Sequence, residues 1–343
     1  MKAMVLTRIC DLRSTQAPLE QVDLAVPVPG PGQVLIRVAA CGVCHTELDE
    51  IEGRTPPAAL PVVPGHQVVG RVERLGPQTT GLKVGDRVGV AWIYHACGHC
   101  RFCTTARENL CPDFKAAGRD ANGGYAEYMI ASAEFVSAIP EGIPDMEAAP
   151  LLCAGAVGYR SLRLTGLQNG QSLGLTGFGA SGHLVLQMAR FLYPDTQIYA
   201  FARSAQERQF ALQLGAAWAG DPADPCPTAL DAVIDTTPAW TPVIEALKAL
   251  SPGGRLVINA IRKEEVDKVA LLGLDYAKAL WMERQIQTVA NVTRQDVREM
   301  LTLAGRMQLR PEVQEYRLED ANRALLDLKN RRIRGAKVLR IAD

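Results

Sequence analysis

Four of the nine cysteines in this chain fall in one stretch, CGHCRFCTTARENLC, where Cys97, Cys100 and Cys103 are each two residues apart and Cys111 follows after seven more. Four thiolates on a short glycine-containing loop can close a tetrahedron around zinc, which takes soft sulfur ligands and has no geometric preference of its own. With every position filled by protein, no water or substrate can enter, so the expected site is structural. Arg101 and Arg107 are offset by Glu108 and Asp113, which argues against a basic zinc ribbon that binds nucleic acid. A second stretch, CGVCHTELDE, contains C-x-x-C-H, the pattern of covalent haem attachment. Such attachment happens outside the cytoplasm. The opening MKAMVLTRICDLRS is interrupted by Arg8 and Asp11, so it reads as a first strand and turn and not as a leader. A cytoplasmic location is therefore expected, where an odd number of cysteines points to metal or thiolate chemistry before disulfides.

The segment QSLGLTGFGASGHLVLQMARFLYPDTQIYAFARS carries Gly177, Gly179 and Gly182 as G-x-G-x-x-G. A short apolar run precedes them, helical periodicity follows, and a second apolar run, QIYAF, comes next. This is the order of a dinucleotide-binding unit. Gly177 would allow the tight turn, Gly179 the approach of backbone to a pyrophosphate, and Gly182 the close packing of helix on strand. The phosphates would face the helix N-terminus.

These residues need elements to hold them. A length of 343 residues predicts two domains. Thirty-seven basic and 37 acidic residues leave no net charge, which removes the electrostatic case for nucleic-acid or anionic-membrane partners. No apolar stretch is long enough to span a bilayer. After the glycine loop, DAVIDTT, GGRLVINA and RQIQTVANV read as strands and AWTPVIEALKAL as a helix, an alternation that predicts an α/β fold with a doubly wound parallel sheet over 153–290. Residues 1–152 differ, with valine-rich strands such as GQVLIRVAA, HQVVGRVERLG and VGDRVGVAW punctuated by proline and glycine. The helix LEDANRALLDLKN and the strand GAKVLRIAD are expected to return and complete this β-rich domain as 291–343.

Taken in order, CGVCHTE, PGHQVVGRVERLG, VGDRVG, the four-cysteine loop, GGYAEY, AAPLLCAGAVGYRSL and GFGASG resemble the zinc-containing medium-chain alcohol dehydrogenases over nearly the whole chain. Within that family CGVCHTE, AAPLLCAG and FARS look most like the cinnamyl-alcohol and broad aldehyde-reducing branch. The resemblance implies a GroES-like catalytic domain beside a Rossmann domain, two zincs per chain, a nicotinamide cofactor and a homodimer or homotetramer acting on small alcohols and aldehydes. It places Cys44, His66 and Cys153 as ligands of a catalytic zinc with one open position, and Cys41 as a buried neighbour. It gives Thr46 the alcohol proton, His45 the cofactor pyrophosphate and Glu47 a hydrogen bond from His66. Lys337 is expected near the pyrophosphate, and Trp92, Ile93 and Tyr94 among the pocket walls.

Two positions depart from the family pattern. Gln67 stands where relatives carry Glu after the histidine ligand, and Asp49 where this branch carries the histidine that ends the proton path. An exposed Asp49, titrating near pH 4 where histidine titrates near about 6.5, would be the weaker base and would leave the proton to water. At the end of the second nucleotide strand, Ala202 takes the place of the acidic residue that would hold an NAD ribose, beside Arg203 and Ser204, with Arg208 a helical turn on. An arginine without a competing carboxylate favours NADP(H), with NAD(H) as the alternative. A polyol or secondary-alcohol dehydrogenase, or a nucleotide-binding sensor without turnover, are the competing readings of the same fold.

Overall fold

The computed structural model describes residues 1–330 and 334–342; Asp343, expected to end the last strand, lies outside them. The chain divides into two compact units, Met1–Ala156 with Val292–Asp343, and Val157–Asn291.

The first unit is built around the strand Gln33–Val43, which pairs antiparallel with Val68–Leu75, Tyr128–Ser132 and Ala336–Arg340. Val34, Ile36 and Val38 on one face are fully buried while Arg37 between them is exposed, the period-2 pattern of a strand half turned to a core. The seven-stranded sheet is completed by Arg87–Val90, Val136–Ala138 and Val313–Arg317. Ile36, Ile51, Tyr125, Met129, Leu325 and Leu339 meet in its core, where burying each large apolar side chain contributes roughly 1.5–3 kcal/mol. Chain ends far apart in sequence are thereby joined: Leu339 lies opposite Cys41 and Lys337 opposite Val43. The last strand so fixes the end of the strand that leads into Cys44.

The four-cysteine loop is tied down by a buried acid. Glu108 Oε1 accepts from the backbone N–H of Arg294, at 2.8 Å, and from its guanidinium, at 3.2 Å, while the same guanidinium donates to Glu134 at 2.8 Å. Arg294 opens the helix Arg294–Met307, whose capping box pairs Thr293 with Asp296.

In the second unit six strands form one parallel sheet: β1 (Ser172–Thr176), β2 (Gln197–Phe201), β3 (Trp218–Gly220), β4 (Leu230–Asp235), β5 (Leu250–Ile258) and β6 (Gln285–Thr288). Their spatial order is β3-β2-β1-β4-β5-β6. The chain winds outward from β1 in one direction and from β4 in the other, so the switch point lies between β1 and β4, where doubly wound sheets bind ligands at the carboxyl ends of their strands. The helix Ala180–Leu192, predicted from its sequence, follows β1 and is buried over most of its surface, residues 182–186, Met188 and Ala189 included, with Arg190 and Phe191 exposed near its end. No helix among the described residues is long and apolar enough to cross a membrane.

Candidate metal and cofactor sites

The strand Gln33–Val43 runs straight into Cys44, which is the N-cap of the helix His45–Ile51. The third helical residue is Glu47, whose Oε2 accepts the backbone N–H of Cys44 at 2.8 Å, as in a capping box. Its other oxygen, Oε1, lies 2.6 Å from His66 Nδ1, with both side chains fully buried. A proton on Nδ1, facing that carboxylate, leaves Nε2 as the nitrogen available to a metal. His66 Nε2 is 3.3 Å from Cys153 Sγ, and the ligand atoms of Cys44, His66 and Cys153 all lie within 4.8 Å of one another. Tetrahedral bonds of about 2.3 Å to sulfur and 2.05 Å to nitrogen would put two such atoms about 3.6 Å apart. The three residues fit a zinc with a fourth position left over.

The charge state of the cluster is set by its members' mutual contacts, which outweigh burial at Cys44 and His66. Hydrogen bonding from Cys153, and then from His66, holds the Cys44 thiol well below its ordinary value despite burial. Burial pushes His66 down, but the Glu47 carboxylate and Cys44 outweigh it and hold the imidazole well up. A divalent metal would displace the proton from Nε2, and the anionic sulfur and the imidazole nitrogen are then the donor set that it takes. Thr46 Oγ1 stands 3.6 Å from Cys44 Sγ and is partly open to solvent, and His45 is exposed.

In the other cluster Cys97 and Cys103 Sγ are 3.9 Å apart and Cys100 and Cys103 Sγ 3.6 Å apart. A zinc tetrahedron puts sulfurs about 3.8 Å apart, whereas a disulfide needs about 2.05 Å. Cys111 completes the set, and all nine cysteines are free. Backbone N–H groups, that of Cys103 foremost, bring the Cys100 thiol down to about 7.

The glycine loop has the shape of a phosphate cradle. Gly177 has φ +83° and its N–H reaches Phe201 O at 2.8 Å, so a side chain there would be strained. A Cβ on Gly182 would sit 2.6 Å from Gly177 O, while one on Gly179, the N-cap of Ala180–Leu192, would meet nothing within 4 Å. The loop is thus closed where helix meets strand and open where a pyrophosphate would approach. Past β2, Arg203 is exposed and Ser204 Oγ caps the helix Ala205–Gln213 by accepting from Glu207 N–H.

Three expected roles meet different surroundings. Asp49 is buried, not exposed: its carboxylate takes the Arg54 guanidinium at 2.5 Å, and Arg54 and Lys329 also hold Glu52. The short helix turns residues 47–51 inward, and the loop after it brings Arg54 back onto them. Lys337 is also buried. Its ammonium donates to Gln314 Oε1 at 2.7 Å and to Tyr316 Oη at 2.9 Å, which leaves it committed within the sheet. Arg208 donates to the backbone carbonyls of Ala202 and Arg203, both at 2.8 Å, and shapes the loop that it was expected to help as a ligand. Of the expected pocket walls, Ile93 is fully buried, and Trp92 packs on Phe114 at 5.2 Å with Arg119 over its ring at 5.1 Å.

Two residues were not singled out by sequence. Asp221 lies just beyond β3 with its carboxylate 3.9 Å from Arg208, close to the loop that would read the ribose. Glu50, one helical turn after Glu47, is buried with neither carboxyl oxygen hydrogen-bonded among the described residues, and burial first and Glu47 second push its carboxyl well up. The i, i+3 spacing of two acids in ELDE was the available signal.

Residues 30–141 match the family model described as the alcohol dehydrogenase GroES-like domain, and residues 180–306 that described as zinc-binding dehydrogenase. A Mycobacterium tuberculosis protein named "Probable alcohol dehydrogenase AdhA" is 44% identical over 94% of this chain and 93% of its own. The chain belongs to the zinc-containing medium-chain alcohol dehydrogenases. Its fold is theirs, a GroES-like unit and a Rossmann unit, and it is an alcohol dehydrogenase that interconverts alcohols and aldehydes with a nicotinamide cofactor. Among solved structures, a cinnamyl alcohol dehydrogenase of Sorghum bicolor aligns at TM-score 0.85 with 28% identity, covering 99% of this chain and 97% of that one. A cobalt- and zinc-bound thermostable alcohol dehydrogenase of Pyrobaculum aerophilum aligns at TM-score 0.85 with 26% identity, covering 99% of each chain.

Gly65, the residue before His66, has φ +98°, and a Cβ there would lie 2.4 Å from the Tyr125 ring and 2.9 Å from Cys41 Sγ. Gly65→Ala is expected to destabilise the protein by about 2–4 kcal/mol through strain and overpacking. His66 should move with it. Zinc analysis after mild chelation should show metal lost from one site, with thermal unfolding at lower temperature.

Proposed function

We propose that this chain works on primary alcohols and their aldehydes through an open zinc site at Cys44, His66 and Cys153, with a second zinc closed in by Cys97, Cys100, Cys103 and Cys111. The observation that carries the reading is the convergence of two sulfurs and one imidazole nitrogen, with Glu47 behind the imidazole and no fourth ligand in the cluster among the described residues. Zinc bound there supplies Lewis-acid polarisation of an alcohol or carbonyl oxygen. The chain's own residues do the rest. Glu47 orients His66, Cys44 and Cys153 would give up their thiol protons to supply charge to the metal, and the hydroxyl of half-buried Thr46 carries the alcohol proton outward. Asp49, held by Arg54, is not the acceptor, so the proton passes from Thr46 to solvent. A nucleotide sensor without turnover has no use for a zinc with an open position.

NADP(H) is our preferred cofactor, because Arg203 is exposed beside Ala202 where an acid would hold the NAD ribose. One observation favours NAD(H) as a second reading: Asp221 stands near the same loop and could accept from ribose hydroxyls. With short, long and aromatic aldehydes, metal-replete protein should oxidise NADPH with higher kcat/KM than NADH. Arg203→Ala should raise the KM for NADPH by about tenfold and leave that for NADH within about twofold, as loss of one charged phosphate contact implies. A clear NADH preference that Arg203→Ala does not change would favour Asp221, and no turnover on any aldehyde would favour the sensor.

We also propose a homodimer built on β6. This strand is exposed along its whole length, its outer edge is unpaired among the described residues, and Trp281, Met282 and Ile286 around it are exposed. An exposed, unpaired strand edge is a template for another strand. Light scattering should give twice the chain mass, and Ile286→Lys should yield monomer; a wild-type monomer at micromolar concentration would contradict this.

A further inference from the structure

We propose that the buried ion pair between Asp235 and Lys263 is a positioning device for the dinucleotide, locking the loop after β4 against the glycine turn and so setting the shape of the cofactor cradle. The inference rests on the reading that a dinucleotide binds at that turn. Asp235 ends β4, is fully buried, and lies on the side of the switch point opposite Thr176, which ends β1. Its Oδ1 accepts from Thr176 Oγ1 at 2.6 Å, Thr237 Oγ1 at 2.8 Å and Thr237 N–H at 3.2 Å. Its Oδ2 takes the Lys263 ammonium, which arrives from the segment after β5. Lys263 Nζ also donates to the carbonyls of Thr237, at 2.7 Å, and Ala239, at 3.0 Å. The ends of β1 and β4, the loop 236–239 and the segment after β5 are thus cross-linked by one carboxylate and one ammonium, each with its hydrogen-bonding capacity filled.

The link to the cofactor is Thr236. Its hydroxyl donates to Thr176 O at 3.0 Å and lies 3.3 Å from Gly177 O, and a Cβ on Gly177 would come within 2.7 Å of it. The first glycine of the cradle therefore rests on a loop whose other end Lys263 holds. A buried charge pair need not add stability over an apolar pair of similar size, yet removing one partner leaves the other charge uncompensated. Loss of Lys263 would free the 236–239 loop and let the glycine turn relax; loss of both charges with apolar replacement would not.

The test is equilibrium titration of NADPH and NADH by nucleotide fluorescence, with unfolding temperature measured alongside, a readout that needs no turnover. Lys263→Met is expected to weaken dinucleotide binding by about tenfold, with KM rising more than kcat falls. Asp235→Leu combined with Lys263→Met should bring Kd back to within about threefold of wild type. Thr236→Val, which keeps the ion pair, should weaken binding by about threefold. Folded Lys263→Met that binds within twofold of wild type, whatever its unfolding temperature, would overturn the proposal. Should Lys263→Met not fold, Thr236→Val decides alone, and unchanged Kd overturns it. Wild-type protein that binds neither dinucleotide would instead sink the cofactor reading, and this inference with it.

Discussion

A single buried carboxylate organises the catalytic unit. Glu47 offers one oxygen to the backbone N–H of Cys44 and the other to His66 Nδ1, so it joins a helix start to the loop that leads into the neighbouring strand Val68–Leu75. An uncompensated carboxylate in that place would cost several kcal/mol, and it is tolerated because one oxygen accepts the Cys44 N–H and the other lies against the His66 imidazole. The consequence is directional. With Nδ1 committed, only Nε2 can face Cys153, and the sulfur of Cys44 is held at the N-terminus of its helix, where negative charge is favoured. Strand pairing of Gln33–Val43 with Val68–Leu75 and the left-handed turn at Gly65 bring the two halves of this arrangement together. The chemistry of an open metal site depends on that geometry more than on the ligands' identity.

The nucleotide unit repeats the device. Asp235 is also a fully buried acid whose oxygens accept from backbone, hydroxyl and ammonium groups, and it also sits where two elements must be held in register. Both acids end up next to a loop whose shape matters for binding: one behind His66, the other behind the Gly177 turn. Rigid support by polar groups that never touch a ligand is how a small number of contacts can hold a cradle within fractions of an ångström.

The fold class was legible because two periodicities and a glycine spacing are local signals: period-2 valines in GQVLIRVAA, helical spacing in HLVLQMARFL, and G-x-G-x-x-G between strand and helix. The four-cysteine cluster was legible for the same reason, all its members lying within one loop. His66 and Cys153 carried no such signal by themselves, since each is one residue in an ordinary stretch, and only likeness to a family marked them. What sequence misjudged was charge in context. Asp49 reads as an exposed acid until Arg54 folds back on it, and Lys337 reads as a free cation until Gln314 and Tyr316 pair with it across a strand boundary. Arg208 reads as a ligand, and one nitrogen of its guanidinium also holds two carbonyls of the loop before its helix. Asp235 and Lys263 lie in unremarked stretches and gain a role only when parallel strands place their ends side by side.

We propose that Glu47 organises the metal site at Cys44, His66 and Cys153. Zinc per chain, measured by atomic emission after dialysis against a mild chelator, should be two for wild type and one for Glu47→Ala, since loss of such a partner weakens metal binding by about 10–100-fold. The metal that remains should be the one enclosed by Cys97, Cys100, Cys103 and Cys111. Two zincs retained in Glu47→Ala under the same dialysis would contradict the claim.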